Sequence, residues 1–263
     1  MIKDKKIIIT GANSGIGLET LKILSKDNKV FAADLNTDMI STFGDNVIPY
    51  QCDLSCRENI DAVFDAAVSS MGQVDIVHAN AGFAYYEKMD YTDWDRMDRI
   101  FTVNTLAQIY LYQRFSDHLG DRNGVFALTI SAMGVMGMPG FTLYSATKFA
   151  LNGFQESVRF EKPDNMQLTC LYPVSTDTNF FKTASEIEFK RPYPLQTPDI
   201  VARKMVKGIE KRKKKVNPCK LFTFSRVLFK ILPFTRTLYW RSEKKKFDEY
   251  CATLLSKREH GIR

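Results

Sequence analysis

Tyr144 and Lys148 stand four residues apart in the stretch YSATKFALNGF. On an α-helix that separation puts both side chains on one face, a turn apart. A free tyrosine ionises near pH ~10, too high to act readily as a base near neutrality. A neighbouring ammonium stabilises the phenolate and lowers that value. The pair therefore suits a group that gives a proton to an oxygen or takes one from it. Pairs at this spacing also occur on surface helices, so the rest of the chain has to decide.

A second chemistry-bearing stretch lies near the start. The apolar run Lys6–Thr10 leads into TGANSGIGLET, with Gly11, Asn13, Ser14, Gly15, Ile16 and Gly17 between it and a helical pattern. Glycines at such a strand-to-helix turn let the backbone approach a pyrophosphate, and the helix start offers free N–H groups and partial positive charge. An ordinary glycine-rich loop is the bland alternative. The next strand, VFAAD, ends at Asp34, 17 positions after Gly17. A carboxylate there can accept hydrogen bonds from both adenosine ribose hydroxyls and repels a 2′-phosphate, which favours NAD over NADP. A solvated strand-end acid is the alternative reading of Asp34.

The elements that must position these residues follow from hydrophobic patterning. Short apolar runs at Lys6–Thr10, Val30–Asp34, Val47–Cys52, Val74–Ala79, Val125–Ile130 and Leu168–Tyr172 read as strands buried on both faces. Helical patterns fill the gaps at Gly15–Lys26, Arg57–Met71, Asp93–Leu119, Tyr144–Glu161 and Pro198–Lys213. Strand–helix alternation of this kind predicts an α/β fold: a doubly wound, parallel, Rossmann-type sheet. The chain divides into a catalytic domain over 1–215 and a basic tail over 216–263.

TGANSGIG, CDL at 52–54, NAG at 80–82, Asn104, Ser131 and YSATK at 144–148 occur in an order and spacing that resemble the short-chain dehydrogenase/reductase family, over about residues 5–215. The resemblance implies a single Rossmann-type domain and an oxidoreductase working on a CH–OH group with a nicotinamide dinucleotide. It implies Asn104, Ser131, Tyr144 and Lys148 as the catalytic set. Ser131 would position the substrate oxygen, Tyr144 would transfer the proton, and Asn104 would hold a water linking Lys148 to solvent. It also implies that Asp53, Leu54, Asn80, Ala81 and Gly82 lie along the cofactor, with Pro173, Thr176 and Thr178 near the nicotinamide. Tyr144 and Lys148 would touch the cofactor too, the lysine at its ribose. Two positions depart from the family pattern: Ala79 replaces the first of two asparagines, and Val174 replaces the glycine after Pro173. Val174 would narrow the space beside the nicotinamide. The family usually pairs through its two long helices, so a homodimer or homotetramer is expected.

Aromatic residues at Phe83, Tyr85, Tyr86, Phe180, Phe181, Phe189 and Tyr193 fall in segments that would flank the nicotinamide, which suggests an apolar, lipid-like alcohol or carbonyl substrate; a packed lid would use the same residues. His78 precedes ANAG at a strand end and reads as a packed structural histidine rather than an acid/base. Five cysteines without a CxxC pair, and only three histidines, argue for reduced thiols in the cytoplasm and for no metal site. A non-catalytic dinucleotide-binding scaffold remains the alternative function.

Charge separates the tail from the rest. The chain carries +7 overall, but residues 203–263 hold 19 Lys/Arg against 5 Asp/Glu. On a helix, residues 220–232 give a wide apolar arc and a narrow polar stripe containing Arg226 and Lys230, ended or kinked by Pro233. No charge-free run there is long enough to span a bilayer. Two readings stay open: a peripheral helix on an anionic membrane surface, or a cover for the substrate pocket or a subunit interface. The apolar content is higher than a nucleic-acid-binding tail needs, so no nucleic acid is expected.

Overall fold

A computed structural model describes residues 2–259, so the tail's last residues, 260–263, lie outside the described residues. The chain runs β1 (Lys6–Thr10), α1 (Gly15–Leu24), β2 (Lys29–Asp34), β3 (Val47–Gln51), α2 (Arg57–Met71), β4 (Ile76–Ala79), α3 (Trp94–Phe101), α4 (Ala107–Leu119), β5 (Gly124–Thr129), α5 (Thr142–Val158) and β6 (Met166–Leu171). It continues through β7 (Ser175–Thr176), α6 (Phe180–Thr183), β8 (Leu195–Gln196), α7 (Pro198–Glu210), β9 (Lys215–Val216), α8 (Lys220–Ile231) and α9 (Pro233–Glu259).

Seven strands form one sheet in the order β3-β2-β1-β4-β5-β6-β9, every pair parallel. Chain progression reverses between β1 and β4, so the loops leaving their carboxyl ends diverge and open a crevice. The inner strands are apolar on both faces because both are covered. Ile8, Phe31, Val77, Phe126 and Leu168 meet α2, α4 and α5 through Val63, Phe64, Leu111, Phe115 and Leu151. Ile7, Ile9, Val30 and Ala32 meet α1 and α7 through Leu18, Leu21, Val201 and Met205.

Three sequence expectations change. The helix expected over Asp93–Leu119 is divided by a π-helical turn at Thr102–Leu106. Such a turn frees a carbonyl from the helical ladder, and here the Gln108 amide donates to Val103 O at 3.1 Å and to Ala81 O at 2.9 Å. The expected division after residue 215 passes through β9, which pairs with β6 and completes the sheet. A small parallel pair, β7 with β8, forms between β6 and α7, where the apolar runs predict no strand.

The tail is a helical hairpin. α8 stops at Ile231 and Pro233 begins α9, as the bend at proline required; proline suits a first helical turn because its missing N–H has no partner there anyway. Beyond the bend, Tyr239, Trp240, Phe247, Tyr250 and Leu254 pack onto an aromatic cluster above the strand ends.

His78 sits in β4 with no exposure. Its Nε2 lies 3.0 Å from Thr129 Oγ1, whose hydroxyl donates to Asn80 Oδ1 at 3.1 Å; the Asn80 amide in turn donates to Thr10 O and Gly11 O. This chain bolts β4 and β5 to the turn after β1, the structural role expected of His78. Burial pushes its pKa down to about 4. The unfolded chain therefore binds the extra proton between the ordinary value and about 4, so stability falls as pH falls through that window. Acidifying from about pH 7 to about pH 5 should remove about 2 kcal/mol through His78 alone. Urea unfolding at both pH values checks this: His78→Gln should lose distinctly less stability than the parent over that step, and an equal loss would show that His78 does not titrate this way.

Candidate active site

Tyr144 and Lys148 occupy the first two turns of α5, one turn apart on its buried face, and are 8 % and 2 % exposed. The Lys148 Nζ lies 5.5 Å from the Tyr144 ring centroid and donates to Thr129 O at 3.3 Å. Among the described residues no acidic side chain pairs with it. Burial of an unpaired ammonium favours its neutral form, and the Lys148 pKa falls to about 7. Tyr144 corrects the sequence expectation. Burial dominates and pushes the phenol up to about 12, while a hydrogen bond with Ser131 pulls it back down.

Ser131 follows β5 with its backbone at φ +147° and ψ 158°, a region that essentially only glycine enters freely. Its Oγ accepts the Met133 N–H at 3.0 Å. Ser131 and Tyr144 both line the crevice. Asn104 lies in the π-helical turn and is wholly buried. Its amide is fully engaged: Oδ1 accepts the Phe83 N–H at 3.0 Å, and Nδ2 donates to Phe83 O at 2.8 Å and to Thr147 Oγ1 at 3.3 Å. The side chain therefore fixes the loop after β4. A Cβ placed on Gly82 would come 3.0 Å from Asn104 Oδ1 and 3.5 Å from Lys148 Nζ, so Gly82 lets that loop pass close to both.

A cavity of about 390 Å³ opens between these groups and the turn after β1. Gly11, Ser14, Gly15 and Ile16 form its floor at the start of α1. Gly11 and Gly15 have φ of +66° and +54°, which a side chain would strain. Gly17 lies outside the lining; a Cβ there would fall 1.9 Å from Gly11 O, so it serves close packing of the helix on the turn. Asn13 is also outside. Its Oδ1 accepts from Met39 N at 2.8 Å and from Ile40 N at 3.2 Å, so it shapes the loop after β2. Asp34 lines the cavity, with Oδ2 accepting the Asn13 N–H at 2.9 Å. Asp53, Leu54, Asn80, Ala81 and Gly82 form the adjoining wall, and Pro173, Thr176 and Thr178 the opposite one. Thr178 reaches over the turn: a Cβ on Gly15 would meet its Cγ2 at 2.9 Å. Free N–H groups at a helix start, glycine turns and a strand-end carboxylate together fit a dinucleotide.

Sequence reading missed Arg99, which lines the cavity and approaches Asp53 Oδ2 at 3.5 Å. An exposed arginine on a helix gives no signal of its own in the sequence. The aromatic residues divide in a way the sequence did not predict. Phe83, Phe180 and Phe181 line the cavity with Met133 and Val174. Tyr86 instead stacks on Phe189 at 3.9 Å beneath α9, Tyr85 lies 3.5 Å from the Arg96 guanidinium, and Tyr193 is exposed.

Comparison with known proteins agrees with this geometry. SadH of Mycobacterium tuberculosis is 29% identical over 234 residues, covering 81% of this chain and 85% of SadH. The uncharacterized oxidoreductase YDL114W of Saccharomyces cerevisiae is 26% identical over 253 residues, 90% of this chain and 79% of that protein. The fold matches a short chain dehydrogenase/reductase from Burkholderia phymatum in complex with NAD, with TM-score 0.76, 19% identity and coverage of 86% and 93%. It matches a short-chain dehydrogenase from Sphingobium yanoikuyae in complex with NADPH, with TM-score 0.75, 19% identity and coverage of 88% and 93%. The family model for short chain dehydrogenases matches residues 5–188, a span that contains the glycine turn, Ser131, Tyr144 and Lys148. With the sheet, the crevice and the Ser131–Tyr144–Lys148 cluster in one place, the chain belongs to the short chain dehydrogenase family and is an oxidoreductase.

Proposed function

We propose that this enzyme transfers a hydride between NAD(H) and a secondary alcohol or carbonyl carbon of an apolar, lipid-like substrate. The observation that carries the reading is the meeting of Ser131, Tyr144 and Lys148 at one cavity wall, with the Lys148 ammonium beside the phenol ring. Gly11 and the Ser14–Gly17 turn, Asp34, Asp53, Leu54, Asn80–Gly82, Pro173, Thr176 and Thr178 would hold the dinucleotide, which supplies the hydride acceptor or donor when bound. In the oxidative direction Tyr144 takes the hydroxyl proton, and in the reductive direction it returns one to the developing alkoxide. Ser131 donates to the same oxygen and fixes its position. Lys148, protonated, stabilises the phenolate and is placed to reach the cofactor ribose. Asn104 holds the loop after β4 and would offer its main chain to a water serving Lys148. Phe83, Met133, Val174, Phe180 and Phe181 on the cavity wall support an apolar substrate.

NAD is favoured because Asp34, at the end of β2 on the cavity wall, would repel a 2′-phosphate, and the four residues after it, Leu35–Asp38, hold no cation to neutralise one. The five free cysteines support a reducing compartment, the cytoplasm. The basic tail would hold the protein at the cytoplasmic face of a membrane. Two or four copies would assemble through α4 and α5. Leu106, just before α4, and Phe149 in α5 are 55 % and 46 % exposed, and Gly153 leaves open space between them and any neighbour. Sedimentation equilibrium should give a dimer or tetramer, and a lone 30 kDa species would remove that part of the reading.

Tyr144→Phe should keep NADH binding, read by cofactor fluorescence, and lose about a hundredfold or more in turnover; an unchanged rate sinks the assignment. Because Tyr144 must ionise to act as a base, oxidation should rise with pH through neutrality. Lys148→Met should lose turnover and weaken NADH binding, yet make the fold more stable. Its folded pKa near 7 lies below the free-lysine value, so folding works against the proton below that value. Removing the ammonium should raise the urea midpoint at neutral pH.

Asp34→Ser should shift the NADPH-to-NADH preference by about tenfold toward NADPH, the effect of removing one repulsive contact. Competitive titration of the two reduced cofactors measures it. A parent protein that already binds NADPH more tightly than NADH would show that Asp34 does not select the cofactor.

A further inference from the structure

Surface helices usually bury their apolar side and show water the polar one. α8 has apolar residues on two sides. On the inner side Phe222 and Cys219 are buried with Ala132, against Val135, Met136 and Val174. On the outer side Leu221, Phe224, Val227 and Ile231 follow one another at helical spacing and are 46 %, 66 %, 53 % and 69 % exposed. The apolar strip continues across the bend into α9 through Leu232, Phe234 and Leu238, all exposed. Contiguous exposed apolar surface of this extent marks an interaction site.

Charge identifies the occupant. From Lys211 to Ser242 the chain contains ten Lys/Arg residues and no Asp or Glu. Lys211–Lys215, Lys220, Lys230, Arg236 and Arg241 are exposed around the strip. A second copy would bring the same cations to the same face, and the two would repel. An anionic lipid surface satisfies both features, apolar side chains in the acyl region and cations at the headgroups. No helix among the described residues is long and apolar enough to cross a membrane, so α8 would lie in the interface plane.

We infer that α8 and the bend into α9 form a docking surface for an anionic bilayer, seated directly on the wall of the substrate cavity. Ala132 and Val174 line that cavity and also pack against Phe222 and Cys219 of α8. The rest of α9 covers the aromatic cluster, so the tail's two expected roles fall to different helices. This inference specifies the membrane reading of the tail and does not depend on the hydride chemistry.

The test is flotation of the full-length protein with phosphatidylserine-containing vesicles and, separately, with pure phosphatidylcholine vesicles. Truncation is unsuitable because β9 completes the sheet. The parent should float with the anionic vesicles, be released by high salt, and bind the neutral ones far less. Phe224→Glu with Ile231→Glu, both far from the catalytic groups, should weaken anionic-vesicle binding by about tenfold or more, the expected loss when a large apolar side chain can no longer be buried. Lys213→Glu with Lys214→Glu should weaken it without changing the oligomeric state. Unchanged NADH binding by both variants shows that they fold; a variant that fails this control is replaced by Phe224→Ser with Ile231→Ser. Parent protein that stays below the anionic vesicles overturns the proposal, as does an apolar variant that still floats like the parent. A lower sedimenting mass for Phe224→Glu with Ile231→Glu, together with no vesicle binding by the parent, overturns it in favour of a second copy on this face. Flotation without any dehydrogenase turnover would leave the docking surface standing and remove only the catalytic reading.

Discussion

The burial of Lys148 is the constraint on which the rest of the site depends. An ammonium at 2 % exposure, bonded to Thr129 O and paired with no acid among the described residues, resists its own charge. Such a group persists only where the surrounding fold is over-determined. Here α5 carries it, β5 supplies the carbonyl, and Gly82 lets the loop after β4 pass beside it. That loop is fixed by Asn104, and Asn104 is presented by the π-helical turn between α3 and α4. Thr105 in the same turn donates to Thr147 O, which ties it back to α5. A closed circuit of main-chain and side-chain bonds thus holds a costly cation beside a phenol. It is the arrangement expected where stability yields to chemistry.

The chemistry was more legible in the sequence than the packing. The glycine turn, Asp34, Ser131, Tyr144 and Lys148 are each placed by local geometry, a tight turn, a strand end or one helical turn, so spacing along the chain reports residues that meet at one cavity. The six expected strands follow for the same reason, since five of them are short runs buried on both faces. β9 escaped notice because two residues after a basic run carry no period, and only β6 gives Lys215 and Val216 their place. The π-helical turn leaves the apolar pattern of its helix nearly unbroken. Asn13 and Gly17 carry further duties, Asn13 shaping a neighbouring loop and Gly17 permitting a close backbone approach. Both duties depend on what lies across the turn, which spacing cannot report.

Proton affinity at the site was legible in sign only for one partner. A lysine near a tyrosine argues for an easier phenolate, but the sequence does not show how dry the pair is. Burial raises Tyr144 and lowers Lys148, so protein groups alone leave the phenol protonated and the lysine near its midpoint. The charge that Tyr144 needs beside it therefore depends on whatever keeps Lys148 protonated. A site of this kind couples cofactor binding to proton affinity, because a group that favours the charged lysine raises the lysine's pKa, and the charged lysine in turn favours the phenolate.

Ser131 shows how the tail enters the site. Its backbone lies where a side chain costs about 1–3 kcal/mol, and two main-chain bonds straddle it: Ile130 N–H to Leu171 O at 2.9 Å and Ala132 N–H to Pro173 O at 2.8 Å. Both bonds come from the end of β6, so the segment carrying Pro173 and Val174 clamps the serine into its strained form. Val174 then does what a glycine at that position could not, offering a side chain against which Phe222 and Cys219 pack, with Ala132 in the same cluster. The departure from the family pattern at residue 174 thus joins α8 to the clamp on Ser131. A tail attached in this way packs directly on Ala132, the residue that follows Ser131, and so belongs to the same wall as the clamped serine.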